Sequence, residues 1–238
     1  MRLLYGCGQA RSEESDGVEQ RAALCTLYGA PYSVYVRAAR LALAEKGVAY
    51  EHVSVDIFAA EVPAWYRALH PFGRIPAFEH DGFRLYETGA ILRYVDEAFP
   101  GPALMPPPGD PRGRARVNQI GGVIDAYLYR PLIWDIYVER CDAPAEGRAA
   151  DETKIAAAIP RVAACFAALA DLAVEEGPFL LGAQLTLADL HLAPMISLGL
   201  RAAEVPPLLG AQPKLARWWR GMRERPSLAA TATRGAEV

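Results

Sequence analysis

A proline-rich segment in the middle of the chain limits what these 238 residues can fold into. Residues 100–111 contain six prolines and two glycines, a composition typical of an extended linker and not of a helix or strand. Strand patterns occur only before this segment, and long helical patterns occur only after it. The chain is long enough for two domains that each bury a core. We therefore predict an α/β domain over residues 23–99, a linker over 100–111 and an all-helical domain over 112–238.

The first 22 residues differ in composition from the rest of the chain. They are rich in Gly, Ser, Asp and Glu and show almost no apolar periodicity. Such a composition does not build a core and is common at loosely held termini. We expect residues 1–22 to form a flexible N-terminal extension.

The pattern that follows predicts a strand and then a helix. The apolar run ending at Tyr28 indicates a buried strand. Ser33 stands where a helix N-cap would, and Lys46-Gly47 supplies the cation and the glycine that commonly end a helix. The apolar side chains of this helix share one face, and Arg37 lies off that face. We therefore expect Arg37 to be outside the buried stripe.

The remaining pattern before the linker predicts one more strand, a short helix, a hairpin and a last helix. Apolar residues alternate with polar ones over residues 53–57, as in a half-buried strand. Residues 63–69 are expected to form a short helix. Asp81-Gly82 between two apolar runs is a strong hairpin signal, and a helical stripe after it stops at Pro100.

Beyond the linker, four helices are expected, at roughly residues 112–140, 151–176, 186–202 and 213–225. Thr186 and Asp189 resemble a capping box at the start of the third of these helices. We assign this box a structural role.

Charge and composition exclude several classes of partner. The formal net charge is −3, with 25 basic and 28 acidic residues and no long run of either sign. The sequence therefore has no run of basic residues of the kind that binds nucleic acid or an anionic membrane surface. The longest stretch without a charged residue covers only residues 22–36, and no secretory signal pattern is present, so we expect a cytoplasmic protein without a membrane span.

Cysteine and histidine spacing predicts no metal site. The four cysteines form no Cys-x-x-Cys pair, which argues against a disulfide framework, a zinc site and a dithiol redox motif. The four histidines share no metal-ligand spacing, and we interpret them as surface or core residues.

Four short segments together carry a resemblance to a known family. They are Leu27–Arg37 (LYGAPYSVYVR), His70–Phe78 (HPFGRIPAF), Arg84–Ile91 (RLYETGAI) and Leu185–Asp189 (LTLAD). In this order and spacing they look like the signatures of soluble glutathione transferases, most of all the serine-type bacterial and plant phi-like enzymes. The resemblance extends from Ala23 to about Ala230.

The resemblance implies a fold, an activity and a set of site residues. The fold is a thioredoxin-like N-terminal domain, in the order βαβ-α-ββ-α, followed by an all-helical domain. The activity is transfer of glutathione, bound as a co-substrate without a metal, to a small electrophile, and family members are commonly homodimers. Ser33 stands where serine-type members place the hydroxyl that stabilises the glutathione thiolate. The implied glutathione-binding residues are Arg74, Ile75, Pro76, Glu87 and Thr88.

The electrophile pocket is implied less specifically. The aromatic set Tyr35, Tyr127, Tyr129, Trp134 and Tyr137 falls in the expected region, and we select Tyr35, Tyr127 and Trp134 as acceptor-site candidates. Packing in the helical core is the alternative for most of this set.

One departure from the family pattern concerns the glycyl end of glutathione. Phi-like enzymes usually place a basic pair before the second helix, whereas this chain has Val62 and Pro63 there. Neither side chain can donate a hydrogen bond, so we expect weaker binding of glutathione.

Other functions remain open at this point. Glutathione-dependent peroxide reduction or dehalogenation would use the same thiolate. A non-catalytic transferase-like interaction module is a further alternative, although Ser33 and Glu87-Thr88 argue against it. A cysteine-dependent thiol transferase is disfavoured because Ser33, and not a cysteine, occupies the key position.

Overall fold

The computed structural model describes residues 25–59 and 61–232, so the predicted N-terminal extension at residues 1–22 lies outside the described residues. The strands are β1 (Cys25–Tyr28), β2 (Glu51–Val53), β3 (Ala77–His80) and β4 (Phe83–Tyr86). They form a mixed sheet in the order β2-β1-β3-β4. Strand β1 pairs in parallel with β2 and antiparallel with β3, and β3 pairs antiparallel with β4.

Three helices complete this half of the molecule: α1 (Val34–Glu45), α2 (Ala64–Leu69) and α3 (Thr88–Ala98). Helix α1 is the crossover that the parallel β1–β2 pair requires. Asp81 and Gly82 both have positive φ, 48° and 82°, and join β3 to β4 in the predicted hairpin. The observed order βαβ-α-ββ-α confirms the predicted thioredoxin-like arrangement.

The named elements from Pro111 onward are all helical, as predicted. Two of them are π-helical segments, Ile124–Leu128 and Arg130–Asp142, which continue directly from the preceding α-helix. The α-helices are α4 (Pro111–Val123), α5 (Ala143–Ala145), α6 (Glu152–Leu172), α7 (Leu187–Gly199), α8 (Val205–Gly210), α9 (Pro213–Met222) and α10 (Pro226–Ala230).

Two predicted elements were wrong in extent. The strand expected over residues 53–57 is observed at Glu51–Val53 instead. Farther along, Asp56 Oδ1 accepts a hydrogen bond from the Phe58 N–H (2.9 Å), which is typical of a turn. The helix expected over residues 112–140 keeps α-helical winding only as far as Val123. Pro131 lies within the π-helical part and has no N–H to donate to a helical carbonyl.

The predicted capping box is present and has a wider role than capping. Asp189 Oδ2 accepts hydrogen bonds from the N–H and the hydroxyl of Thr186, both at 2.8 Å. Asp189 Oδ1 accepts from the Leu180 N–H and from Trp218 Nε1, also at 2.8 Å. The fully buried carboxylate therefore joins the start of α7 to α9 and to the segment before α7.

Arg37 contradicts the prediction that it lies outside the buried stripe. It is 7% exposed, and its guanidinium donates to Ser197 Oγ and to the Leu228 carbonyl, both at 2.9 Å. Helix α1 packs between α3 and α7 and also contacts α10. The helical half thus covers the face of α1 on which Arg37 lies.

Helix α6 is, among the described residues, the one helix long and apolar enough to cross a membrane by length and composition. In the structure it packs against Arg130–Asp142, α8 and α9. Its Val162 and Phe166 side chains are fully buried. These contacts are those of a core helix.

Candidate functional site

The start of α1 lies at the end of the loop that follows β1. Ser33 is the N-cap residue, and its hydroxyl accepts a hydrogen bond from the Val36 N–H at 3.3 Å. The side chain is half-buried. This geometry holds the hydroxyl beside the positive end of the helix dipole, where a negative charge is stabilised.

A cavity of about 260 Å³ lies close by, between the sheet-containing half and the helical half. All five predicted glutathione-binding residues line it, as does the acceptor candidate Tyr35. Ser33 is not among its lining residues. The lining consists of Tyr35, His70, Arg74, Ile75, Pro76, Glu87, Thr88, Asp125 and Tyr129.

The segment before β3 supplies one wall of this cavity. The peptide bond between Ile75 and Pro76 is cis, and both residues are buried. The Tyr66 hydroxyl donates a 2.7 Å hydrogen bond to the carbonyl of Arg74. This bond fixes the backbone from which the exposed Arg74 side chain extends into the cavity wall.

The turn between β4 and α3 supplies a second wall. Glu87 is the N-cap residue of α3 and has φ of 73°, a left-handed conformation that is uncommon for a residue with a side chain. Such conformations cluster at ligand-binding sites. The following Thr88 is 7% exposed. The α3 N-terminus, with its free amide groups, suits a bound carboxylate.

Aromatic residues from both halves line the cavity, Tyr35 from α1 and Tyr129 from the helical half. The rings of Tyr35 and Tyr129 have centroids 4.6 Å apart, and Trp134 Nε1 donates to the Tyr129 hydroxyl at 2.9 Å. Burial raises the pKa of Tyr35, and the nearby charge of Asp125 raises it further. Burial also raises the pKa of Tyr129. Both phenols are therefore protonated at neutral pH.

The other aromatic candidates lie elsewhere. Tyr127 is 65% exposed and does not line the cavity. Tyr137 is 7% exposed, and its hydroxyl accepts a hydrogen bond from Arg201 at 3.2 Å. Trp134 contacts the cavity residue Tyr129 and the exposed ring of Phe58. Two of the three selected acceptor candidates, Tyr35 and Trp134, both contact Tyr129. The third candidate, Tyr127, is not part of this group.

Two cavity residues were missed from the sequence. His70 begins the segment HPFGRIPAF, so its position in that segment was the available signal. Asp125 lies in the first π-helical segment, and its Oδ1 is 3.0 Å from Nε2 of the buried His191. No local pattern marks Asp125 as facing the cavity. The described residues contain no cluster of three or more His, Cys, Asp or Glu side chains arranged to hold a metal.

Comparison with known proteins identifies the family. The protein-family model for the glutathione S-transferase N-terminal domain matches residues 27–103. The family model for the C-terminal domain matches residues 134–231. Glutathione S-transferase F14 of Arabidopsis thaliana is 30% identical over 194 residues, which are 80% of this chain and 76% of the relative. The chain belongs to the glutathione S-transferase family. It is an enzyme of the glutathione transferase type, and similarity to F-series plant enzymes agrees with the predicted phi-like resemblance.

Solved structures of similar proteins agree with the fold of this transferase. Glutathione transferase F7 from Populus trichocarpa is 28% identical and superposes with a TM-score of 0.76, covering 90% of this chain and 100% of that one. A glutathione S-transferase-I structure bound with the ligand lactoylglutathione is 26% identical, with a TM-score of 0.77 over 88% of this chain and 99% of that one. The transferase therefore shares its whole two-part architecture with these enzymes.

Proposed function

We propose that this transferase joins the thiolate of glutathione to small, apolar electrophiles by substitution or addition. The observation that carries the proposal is the cavity of about 260 Å³, whose lining combines the five predicted glutathione-binding residues with Tyr35 and Tyr129. The cavity thus offers both polar groups for a peptide and aromatic surface for an apolar partner.

Ser33 is the group proposed to stabilise the thiolate. A free thiol has a pKa near 8.5, and a hydroxyl donor beside a helix N-terminus lowers it toward neutrality. Ser33 provides both features as N-cap of α1. Its hydroxyl already accepts from the Val36 N–H, which leaves the hydroxyl proton to donate to the sulfur.

The γ-glutamyl end of glutathione is proposed to lie at the start of α3. The Thr88 hydroxyl and the first amides of the helix bind its carboxylate, and Glu87 receives its ammonium group. The cysteinyl backbone pairs with the main chain of Ile75, which precedes Pro76, as an added strand. Arg74 lies on the same wall and offers a guanidinium to a carboxylate of glutathione.

The glycyl end has fewer partners. Val62 is half-buried and packs against the core, and Pro63 begins α2 as its N-cap residue. Neither side chain offers a donor to the glycyl carboxylate. We propose that this transferase binds glutathione more weakly than phi-like enzymes that carry a basic pair at this position.

The acceptor side is proposed to be built from Tyr35 and Trp134 across the Tyr129 ring. Tyr32, next to Ser33 in sequence, stacks on Phe58 with ring centroids 6.1 Å apart, and Phe58 contacts Trp134 at 5.8 Å. This aromatic surface continues outward from the cavity. Tyr127 stays a weaker candidate because it is 65% exposed and outside the cavity lining.

The domain boundaries and the assembly are also proposals. The absence of helix and strand between Ala98 and Pro111 in the described structure supports a linker at residues 100–111, between domains at 23–99 and 112–238. The family resemblance supports a homodimer. We propose a cytoplasmic enzyme that needs no metal.

The test of the proposed function combines binding and chemistry. The purified protein is passed over immobilised glutathione and assayed for conjugation with 1-chloro-2,4-dinitrobenzene. We expect retention and turnover, and we expect Thr88→Val to raise the KM for glutathione with a smaller effect on kcat, since its contact is equal in ground and transition states. Retention without conjugation of any of several electrophile classes would favour the non-catalytic module.

A further inference from the structure

Asp125 is a carboxylate on the cavity wall that the proposed function does not yet use. It lies in the first π-helical segment and is one of the cavity's lining residues. Its side chain is 46% exposed, so a ligand in the cavity can reach it. Glu87, the other acidic residue of the lining, comes from the sheet-containing half. The cavity therefore has one carboxylate from each half of the molecule.

Two cavities place Asp125 beside the start of α3. The cavity of about 260 Å³ is lined by Asp125 and by Thr88, the first residue of that helix. A second cavity, of about 100 Å³, is lined by Asp125 and by Gly89, the next residue. Asp125 is the residue that the two linings share. It therefore lies between the two cavities, next to the first turn of α3.

Neighbours on two other helices hold the Asp125 side chain. Its Oδ1 lies 3.0 Å from Nε2 of His191, a residue of α7 that is 3% exposed. The ring of Tyr35, on α1, lies 5.9 Å from the His191 ring. Beyond the effect of burial, the charge of Asp125 and a side-chain hydrogen bond to it raise the pKa of the Tyr35 phenol. These contacts set the position of the carboxylate before a ligand binds, which reduces the entropy lost on binding.

The Asp125 carboxylate has room for a further partner. A carboxylate offers about four acceptor positions, so contacts with Tyr35 and His191 leave positions for a ligand. In the part of the chain that the structure describes, its ion-pair contact is with His191 and not with a lysine or arginine. The charge of Glu87 acts on Tyr35 in the same direction as that of Asp125. A cationic group near the Tyr35 phenol is therefore attracted by both carboxylates.

The γ-glutamyl end of glutathione carries one such cation. Its ammonium group and its carboxylate are bonded to the same carbon atom, so the protein groups that bind them must lie side by side. The proposed function places this carboxylate at the start of α3, and Asp125 adjoins the first two residues of that helix. An ammonium group has three N–H donors and can bond two carboxylates at once.

We propose that Asp125 is a further glutathione-binding residue, whose carboxylate accepts a hydrogen bond from the γ-glutamyl ammonium group while Glu87 accepts another. This inference rests on the proposed function, because it takes Glu87 and Thr88 as the γ-glutamyl site. The bound peptide is then held by both halves of the molecule. Asp125 thereby selects thiol peptides with a free α-amino group, since a ligand without that charge gains nothing from either carboxylate.

The experiment compares two ligands that differ only in the amino group. They are glutathione and glutaryl-cysteinylglycine, in which a hydrogen atom replaces the amino group of the γ-glutamyl moiety. Asp125→Asn removes the charge and keeps the size of the side chain. Asp171→Asn is the matched control, because Asp171 is an exposed residue of α6 outside the cavity lining. Calorimetry gives the Kd of each protein for each ligand, and thermal melts show that each variant is folded.

We expect Asp125→Asn to raise the Kd for glutathione about tenfold, through the loss of one charge-assisted hydrogen bond. The same substitution should not raise the Kd for the analogue, and Asp171→Asn should change neither value. An unchanged Kd for glutathione in Asp125→Asn overturns the proposal, and so does an equal loss of affinity for both ligands. A change confined to the KM for the electrophile also overturns it, since Asp125 would then belong to the acceptor side. If Asp125→Asn does not fold, Asp125→Ser takes its place with the same expected pattern.

The outcome for the wild type distinguishes this proposal from the proposed function. If the wild type binds glutathione and Thr88→Val weakens that binding, while the Asp125 variant binds as the wild type does, only the role of Asp125 is wrong. If the wild type does not bind glutathione, both are wrong.

Discussion

Ser33 shows how one residue can combine a structural and a chemical role. As the N-cap of α1 it accepts from the Val36 N–H, and its proposed role is to donate to the glutathione sulfur. A Ser33→Ala substitution removes both interactions. Loss of the cap costs about 0.5–2 kcal/mol of stability, whereas loss of a thiolate donor raises the pKa of the bound thiol.

The two roles predict different pH dependence for Ser33→Ala. If the hydroxyl stabilises the thiolate, kcat at neutral pH falls, and the loss shrinks as the pH rises above the thiol pKa. The measurement is a pH–rate profile of both proteins with one fixed electrophile, together with thermal melts. If the two pH–rate profiles superimpose once each rate is divided by the concentration of folded protein, Ser33 acts only as a helix cap.

At the level of elements, the carboxylate of Asp189 is expected to matter through folding. Asp189→Ala leaves four buried donors without their acceptor, from Leu180, Thr186 and Trp218. We expect it to cost about 3–5 kcal/mol, compared with about 0.5–2 kcal/mol for Thr186→Ala. Urea unfolding measures both, and turnover per folded molecule should not change. A specific loss of turnover at unchanged stability would contradict this assignment.

The contact between the second π-helical segment and the start of α6 is expected to weaken in acid. Glu139 is 4% exposed, and hydrogen bonds from Lys154 and then Arg148 lower its pKa to about 2. Because the pKa of Glu139 is lower in the folded protein than in the unfolded chain, its ionised carboxylate stabilises the fold above pH 4.5. This contribution is lost as the pH falls toward 2.

The matched test for this contact uses Glu139→Gln. We expect the wild type to exceed this variant in unfolding free energy by about 2 kcal/mol at pH 7, since solvent screens the partly exposed Arg148 and Lys154. The difference should narrow in urea titrations below pH 4.5. Glu152→Gln is the control, because that side chain is 69% exposed in its pair with Arg140. A difference in unfolding free energy between the wild type and Glu139→Gln that stays constant down to pH 3 would contradict this prediction.

At the scale of the whole molecule, exposed aromatic rings are expected to mark the dimer contact. Phe72 is 70% exposed and lies against Tyr86, which is 36% exposed. We expect sedimentation at micromolar concentration to give twice the chain mass of 25.8 kDa, and Phe72→Asp to shift the protein toward the monomer because a charge in an apolar contact is costly. A wild type that sediments only as the 25.8 kDa species would rule out the homodimer.

Local features of this protein followed from the sequence alone. The Ser33 cap, the Asp81-Gly82 hairpin and the Thr186–Asp189 box each depend on residues within four positions of one another. Their physical causes are turn geometry and the unpaired amides at a helix start, which neighbouring residues decide. The division into a strand-bearing half and a helical half followed for the same reason, since hydrophobic periodicity is a local property.

Tertiary packing decided the features that depend on distant parts of the chain. Arg37 appeared polar and outside the apolar stripe, yet it is buried because Ser197 and Leu228, more than 150 positions away, accept its hydrogen bonds. The cavity brings His70 and Asp125 together across the two halves, and no pattern near either residue encodes that contact. Such residues meet only when the helical half packs on α1, so their burial and their partners are properties of the assembled core and not of the local sequence.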